Sequence, residues 1–198
     1  MNTQPLVSVV IPNWNGARYL PTCLDALQRQ TYSQLEVIVV DNASQDDSLA
    51  LIKHSYPYIR VVALPENRGF AGGVNAGIQV ASGEIIALLN NDTEADPNWV
   101  AELVRGLGQH PDAGMAASKM LLFDQRDTIQ SAGDSFGVDG LPINRGVWQK
   151  DIGQFDREEY VFGGCGGAVA YRRQLFEQIG TFDEHFFLSC EDVDIAWR

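Results

Sequence analysis

Short apolar runs alternate with helically spaced apolar positions through the first half of the chain. Residues 7–11 (Val7-Ser8-Val9-Val10-Ile11) read as a strand that ends at Pro12. Over residues 18–30, Leu20, Cys23, Leu24 and Leu27 fall at helical spacing. Residues 35–40 are rich in β-branched side chains and read as a second strand. Ser44-Gln45-Asp46-Asp47 resembles a capping box, which predicts a helix from there to about Lys53. A third strand follows over residues 59–64, then a small-residue helix over 72–81 that stops near Ser82-Gly83. Residues 84–89 make a fourth strand, and Pro97 suits the first turn of a helix reaching Gln109.

Strands alternating with helices predict an α/β fold, a mostly parallel sheet with helices on both faces. Ligands in such sheets bind beyond the carboxyl ends of the strands, where the strand order switches. Three predicted strand ends carry short polar clusters: Pro12-Asn13-Trp14-Asn15, Asp41-Asn42-Ala43-Ser44 and Asn90-Asn91-Asp92-Thr93. Their coincidence says more than any one of them. Glycines interrupt residues 123–160, which read as loops and short strands suited to a second substrate. Regular pattern returns at residues 166–171, then in a short helix over 173–179 and the start of another over 191–198. The reading is one domain in two halves, residues 1–122 and residues 123–198.

Composition narrows the function classes. The 198 residues carry a net charge of −12, which disfavours nucleic acid and anionic membranes as partners. An anionic substrate would need local compensation, which a divalent cation could supply. Three cysteines without metal-ligand spacing read as reduced, cytoplasmic thiols. The first residues lack the basic and apolar regions of a signal peptide, and no stretch reaches the roughly 18 apolar residues of a membrane span. The two glycosylation sequons, at Asn42 and Asn91, read as chance matches in a cytoplasmic chain.

Several residues can carry chemistry, each with a plainer alternative. Asp41 could accept a hydrogen bond from a nucleobase N–H, or simply close a turn. Asp92 could hold a hard cation such as Mg²⁺ or Mn²⁺, or be a turn residue. Gly69-Phe70-Ala71-Gly72-Gly73 opens a helix, where backbone N–H groups could face a phosphate, but close helix packing explains the glycines as well. It is not the dinucleotide fingerprint, whose place after the first strand is taken by Pro12-Asn13-Trp14-Asn15. Glu191, Asp192 and Asp194 put three carboxylates in one turn, fit for a general base or for a helix N-terminus. Asp194 and Arg198 stand in the favourable i,i+4 order, which points to a structural pair. His54, His110 and His185 are scattered and read as structural.

Taken in order, these pieces resemble glycosyltransferase family 2, and most of all its rhamnosyltransferase-like bacterial members. The resemblance rests on the three strand-end clusters, on Asn67-Arg68-Gly69-Phe70-Ala71-Gly72-Gly73-Val74-Asn75, and on Glu191-Asp192-Val193-Asp194. Phe162-Gly163-Gly164-Cys165-Gly166-Gly167-Ala168 and Gly180-Thr181-Phe182-Asp183-Glu184 also fit, so nearly all of the chain is covered. The resemblance implies a GT-A fold and an inverting transfer from a nucleoside-diphosphate sugar (a UDP, dTDP or GDP sugar). The sugar would be one such as rhamnose or another deoxysugar, and the acceptor a saccharide or lipid-linked molecule, in cell-surface polysaccharide synthesis. It implies that Pro12, Asn15 and Asp41 line the nucleoside pocket, with Arg68, Asn75 and Asn91 also on the nucleotide. Asp92 would hold Mg²⁺ or Mn²⁺, and Asp192 would be the general base with Glu191 beside it. Gly166 and Gly167 fall where acceptor and donor sugar meet. It also implies a cytoplasmic location, with peripheral contact at the inner face of the membrane.

Two departures from the family pattern stand out. Asn90 takes the first acidic position of the DXD motif, leaving Asp92 as the one carboxylate there. Family members continue past the position of Arg198, and a later His completes their metal site, so the resemblance implies C-terminal truncation. Two other readings remain at this point. One is a catalytically silent nucleotide-sugar-binding fragment. The other is a sugar nucleotidyltransferase, for which the glycine-rich loop after the first strand is missing.

Overall fold

The computed structural model describes residues 4–198. Its first half winds β1 (Val7–Asn13), α1 (Leu20–Gln28), β2 (Leu35–Asp41), α2 (Ser48–Ser55), β3 (Arg60–Ala63), α3 (Gly69–Val80), β4 (Ile85–Leu89) and α4 (Trp99–Gln109). Then come β5 (Met115–Ala117), β6 (Lys119–Leu122), β7 (Gln125–Ala132), β8 (Asp134–Phe136), β9 (Pro142–Asn144) and β10 (Ala168–Arg172), closed by α5 (Arg173–Ile179) and α6 (Glu191–Trp197).

The main sheet has the order β3-β2-β1-β4-β10-β5. The pairs β3–β2, β2–β1 and β1–β4 are parallel, whereas β10 runs antiparallel to both β4 and β5. The sheet is thus mixed, with one reversed strand. The chain builds outward from β1 through β2 to β3, then returns through α3 to β4 on the other side of β1. That return is the switch of strand order, and it opens a crevice beyond the ends of β1 and β4.

Strand side chains alternate between two cores. Val7, Val9, Ile11, Val39, Ala87 and Leu89 meet α1, α2 and α4 on one face. Val10, Ile38, Val40, Ile86, Leu88 and Val169 meet α3, α5 and α6 on the other. Central strands buried on both faces read as continuous apolar runs, which is why they were visible in the sequence. The predicted face of α1 is inside: Leu20, Cys23, Leu24 and Leu27 are all buried. On the other face α3 comes very close to β1, because a Cβ on Gly77 would lie 2.3 Å from a Val10 methyl. Gly77 is therefore explained by packing.

Local details differ from the sequence expectation. β1 continues through Pro12 to Asn13, since its pairing with β4 stops at Val10 and Pro12 pairs only with Val40 of β2. Helix α3 starts at Gly69, three residues before the predicted start. The capping box does not form. Helix α2 starts at Ser48, where the Asp46 carboxylate accepts the Ser48 N–H at 3.0 Å, and Ser44 serves a different loop. Pro97 precedes α4 in a turn, with Asn98 at the N-cap. β5 and β6 were not foreseen. In the irregular region β6 pairs with β7 and β8 with β9, as two small antiparallel sheets.

Candidate active site

The parallel register sets Asn13 directly beside Asp41. Both are buried, and the Asn13 amide donates to Asp41 Oδ1 at 3.1 Å and to Ser44 Oγ at 3.2 Å. Asn13 Oδ1 in turn accepts the Asn91 side-chain amide at 2.7 Å. One buried asparagine therefore joins the ends of β1, β2 and β4. Burial makes this network rigid, because an amide with unmet partners would cost about 1–3 kcal/mol. Gly16 lies underneath: a Cβ there would sit 2.1 Å from Asn91 Nδ2 and 2.2 Å from Asn13 Oδ1. Sequence reasoning assigned Asn13, Gly16 and Ser44 no role in the site, although Asn13 and Ser44 lie inside the strand-end clusters.

Asp41 also accepts the Ser44 N–H at 3.1 Å on its second oxygen, so both carboxylate oxygens are already engaged within the chain. Asn15 adopts φ 51°, a left-handed conformation that asparagine tolerates better than most side chains. Its Oδ1 accepts the Gln45 N–H at 2.7 Å, and its own N–H donates to Ser44 Oγ at 2.9 Å. Pro12 is half-buried beside this junction. Asn42 carries the network onward: its amide donates to Gly69 O at 2.8 Å and its oxygen accepts the Arg68 N–H at 2.9 Å.

Asp92 follows at the end of β4. It is exposed and makes no hydrogen bond or ion pair with the described residues. The nearby Cys23 thiol is pushed up to about 12, by burial first, with the charge of Asp92 adding to the effect. Among the described residues no three His, Cys, Asp or Glu side chains gather as a metal site. The end of β4 thus offers one carboxylate, Asp92, that no described group engages. That set fits a cation such as Mg²⁺, which is held by one or two carboxylates plus substrate phosphates and keeps several waters.

The second cluster forms where β10 meets α6. Asn90 N–H donates to Gly167 O at 2.9 Å, which ties the glycines before β10 to the end of β4. Asp192 Oδ2 accepts the Gly166 N–H at 3.0 Å, and its Oδ1 accepts the Val193 N–H at 2.9 Å. Gly166, Gly167, Asn90 and Asp192 are therefore neighbours. Asp192 is half-buried, whereas Glu191 is only 5% exposed with one carboxylate oxygen unpartnered. Burial, and then the charge of Asp192, push the Glu191 carboxyl up. Asp194 turns to Arg198 at 2.9 Å, the structural pair expected from the sequence.

The third member of the acidic group is Asp134 of β8, which sequence reasoning missed. It is 4% exposed, and its Oδ1 has no partner. Burial first, and then the charge of Asp192, raise its pKa to about 6. The fully buried Tyr171 hydroxyl, also unpartnered, and the Cys165 thiol lie near these acids, and both are raised chiefly by burial. A raised acid costs stability when it ionises. Between about pH 4 and pH 6 the unfolded chain binds fewer protons at this site than the folded one, so stability falls as pH rises. Asp134→Asn is expected to remove about 1–2 kcal/mol of that fall, allowing for partial hydration. Denaturant titrations at pH 5 and pH 7.5 check this; parallel losses in parent and variant would refute it.

Arg68 and Asn75 both bond to the segment that holds Phe182 and Glu184. Arg68 pairs with Glu184 at 2.5 Å. The Asn75 amide donates to Phe182 O at 2.8 Å and Glu184 Oε1 at 3.0 Å, while its oxygen accepts the Phe182 N–H at 3.1 Å. Glu184 was quoted in the resemblance but given no role.

The chain is similar to several known proteins. The family model described as Glycosyl transferase family 2 matches residues 8–180. The O-antigen biosynthesis protein RfbC of Myxococcus xanthus is 30% identical over 204 residues, covering 98% of this chain but 16% of that protein. A PGL/p-HBAD biosynthesis glycosyltransferase of Mycobacterium bovis (strain BCG / Pasteur 1173P2) is 26% identical, covering 90% of this chain and 64% of that protein. The chain thus spans less than two thirds of the curated relatives it matches here. Among solved structures, the mannosyltransferase PcManGT from Pyrobaculum calidifontis, in complex with GDP-Man and Mn²⁺, superposes with a TM-score of 0.69 at 22% identity, over 98% of this chain and 51% of that one. S. aureus TarS 1-349 in complex with UDP gives 0.71 at 20% identity, over 96% and 54%. The fold is of the GT-A type, as expected. The chain belongs to glycosyl transferase family 2.

Proposed function

We propose that this chain forms the donor-binding and catalytic core of an inverting glycosyltransferase. It moves a sugar from a nucleoside diphosphate to a saccharide or lipid-linked acceptor. One observation carries the reading. The Asn13-centred junction and the free carboxylate of Asp92 occupy one crevice, and the Asn90–Gly167 bond links that crevice to Asp192. Residues 1–122 hold the donor and residues 123–198 supply the base and the acceptor side. Pro12, Asn15, Asp41 and Asn91 face the nucleotide, with Arg68 at its border.

Asp192 takes the proton of the acceptor hydroxyl while that oxygen bonds to the anomeric carbon. The bond from that carbon to the diphosphate breaks, and the electron pair leaves on the diphosphate. Attack opposite the leaving group inverts the centre. Asp92 would hold a divalent cation, Mg²⁺ or Mn²⁺, which when bound supplies charge to the departing oxygens. The names of the relatives favour surface polysaccharide or glycolipid as product, and those of the solved neighbours favour GDP or UDP donors with Mn²⁺. Rhamnose, or another deoxysugar, is the sugar the sequence resemblance suggests. Unpaired thiols at Cys23, Cys165 and Cys190 support a cytoplasmic setting. The reading includes peripheral contact with the inner face of the membrane; no helix among the described residues is long and apolar enough to cross it.

A second reading is favoured by the lone carboxylate at the metal position: donor binding without turnover. A sugar nucleotidyltransferase has no such support, since the first βα turn carries no glycine-rich loop. A thermal-shift panel of UDP, dTDP and GDP sugars, each with Mn²⁺ or Mg²⁺, tests the first two together. At about 100 times Kd, one ligand should raise Tm by roughly 5–10 °C. The absence of any shift in a folded sample would sink both. Measured transfer or donor hydrolysis then separates them.

A further inference from the structure

The route from α3 to the carboxylate helix is fastened at several points. Asn75 spends both amide hydrogens and its oxygen on Phe182 and Glu184, at 2.8, 3.0 and 3.1 Å. The other oxygen of Glu184 takes Arg68 at 2.5 Å. Further on, Phe70 N–H donates to Phe187 O at 2.7 Å. Two residues beyond that contact, Ser189 and Cys190 adopt φ of 75° and 70° in succession, without a glycine. Such left-handed pairs are strained, and they persist only where the surroundings over-determine them. Immediately after them come Glu191 and Asp192. On the far side, α6 is tied by Asp192 to Gly166, by the buried Ile195, and by Arg198 to the carbonyls of Ile179 and Thr181 at 2.8 Å each.

We infer that Asn75 is a positioning residue for Asp192: its side chain clips Phe182 and Glu184 to α3 and so holds the loop that leads into the strained turn presenting the base. This rests on the transfer reading and on Asp192 as its base. It departs from the sequence expectation that Asn75 touches the nucleotide. A side-chain amide with three partners in the loop has little left to offer a ligand. Within the clip, Asn75 supplies the donors and Glu184 an acceptor. The Arg68 ion pair is exposed on both sides and contributes little.

Three variants test the assignment. Asn75→Ala removes the clip and should lower kcat roughly 10–100-fold, with the Kd for UDP or GDP plus Mn²⁺ within about threefold of the parent. The Gly166 amide resonance, which reports the Asp192 contact, should shift or broaden, and hydrogen exchange should quicken over residues 182–192. Glu184→Gln keeps an acceptor for Asn75 while losing the ion pair, and should stay within about threefold on every readout. Should the alanine variant fail to fold, Asn75→Asp keeps the acceptor for the Phe182 N–H, loses both donors, and should move the same readouts in the same direction. A tenfold or greater loss of nucleotide affinity with an unmoved Gly166 amide would overturn the clip and make Asn75 a donor contact. If the parent shows no turnover, the transfer reading fails, while the Gly166 amide and the exchange rates still decide whether Asn75 holds the turn.

Discussion

Replacing Asp192 by Asn is expected to leave nucleotide affinity within about threefold of the parent and to lower sugar transfer roughly 10²–10⁴-fold, the usual contribution of a general base. The expectation singles out Asp192 from its neighbours on physical grounds. Glu191 is 5% exposed, and Asp134 4%, so neither can reach a hydroxyl on an incoming acceptor without rearrangement. Asp192 is half-buried, and two backbone N–H groups, of Gly166 and Val193, fix the direction of its carboxylate. Asparagine is nearly the same size and keeps an oxygen for one of those bonds, so the fold should survive. What it loses is the ability to take a proton. The companion variant Glu191→Gln should cost far less, because a buried group acts on the reaction only through its neighbour. Initial rates with saturating donor, alongside calorimetric Kd values, check both. Transfer that survives in Asp192→Asn removes Asp192 from the role of base.

Much of the crevice was legible because a parallel sheet sends its strand ends to one edge. Val9, Val10, Val39, Val40 and Leu88 are buried on both faces, so their strands are unbroken apolar runs that stop abruptly at polar residues. Reading where each run stops already brings residues 12–15, 41–44 and 90–93 together. The reversed strand was not legible in that way. β10 pairs with β4 across some eighty residues, as Val169 opposite Leu88, and nothing local in its composition encodes direction.

The misses share a cause: short polar residues whose partners are remote. Ser44 has the spacing of a helix cap, yet its hydroxyl accepts the Asn15 N–H and the Asn13 amide, because loop-to-loop bonds outcompete a cap made with α2. Asp134 sits in a glycine-broken stretch with no periodicity. It joins Glu191 and Asp192 only through the tertiary fold, which carries β8 to α6 beside Gly163 and Ala196. The Asn75 amide bonds the loop at Phe182, a contact that nothing local in the sequence announces. In each case the residue type was right for a polar contact, and the sequence did not encode which contact.

Asp92→Ala should have the second large effect, and it should appear in binding as well as in rate. Asp92 is the one carboxylate at the end of β4 that no other group of the described chain engages, and Asn90, two residues earlier, is spent on the β10 side through its backbone. With no other acid gathered there, loss of Asp92 leaves nothing to hold a divalent cation in the absence of donor. The metal-dependent part of nucleotide affinity should therefore vanish, while the metal-free part, set by the Asn13 junction and Asp41, stays. Transfer should fall about 10²–10³-fold, in line with the several kcal/mol that a cation contributes at a leaving diphosphate. Asp92→Asn keeps an oxygen but not the charge, and should fall between. Titrating UDP or GDP with and without Mn²⁺ gives the decisive comparison. A parent whose affinity ignores Mn²⁺ would reduce Asp92 to a turn residue. A parent that binds Mn²⁺ tightly before any nucleotide would require ligands beyond this one carboxylate.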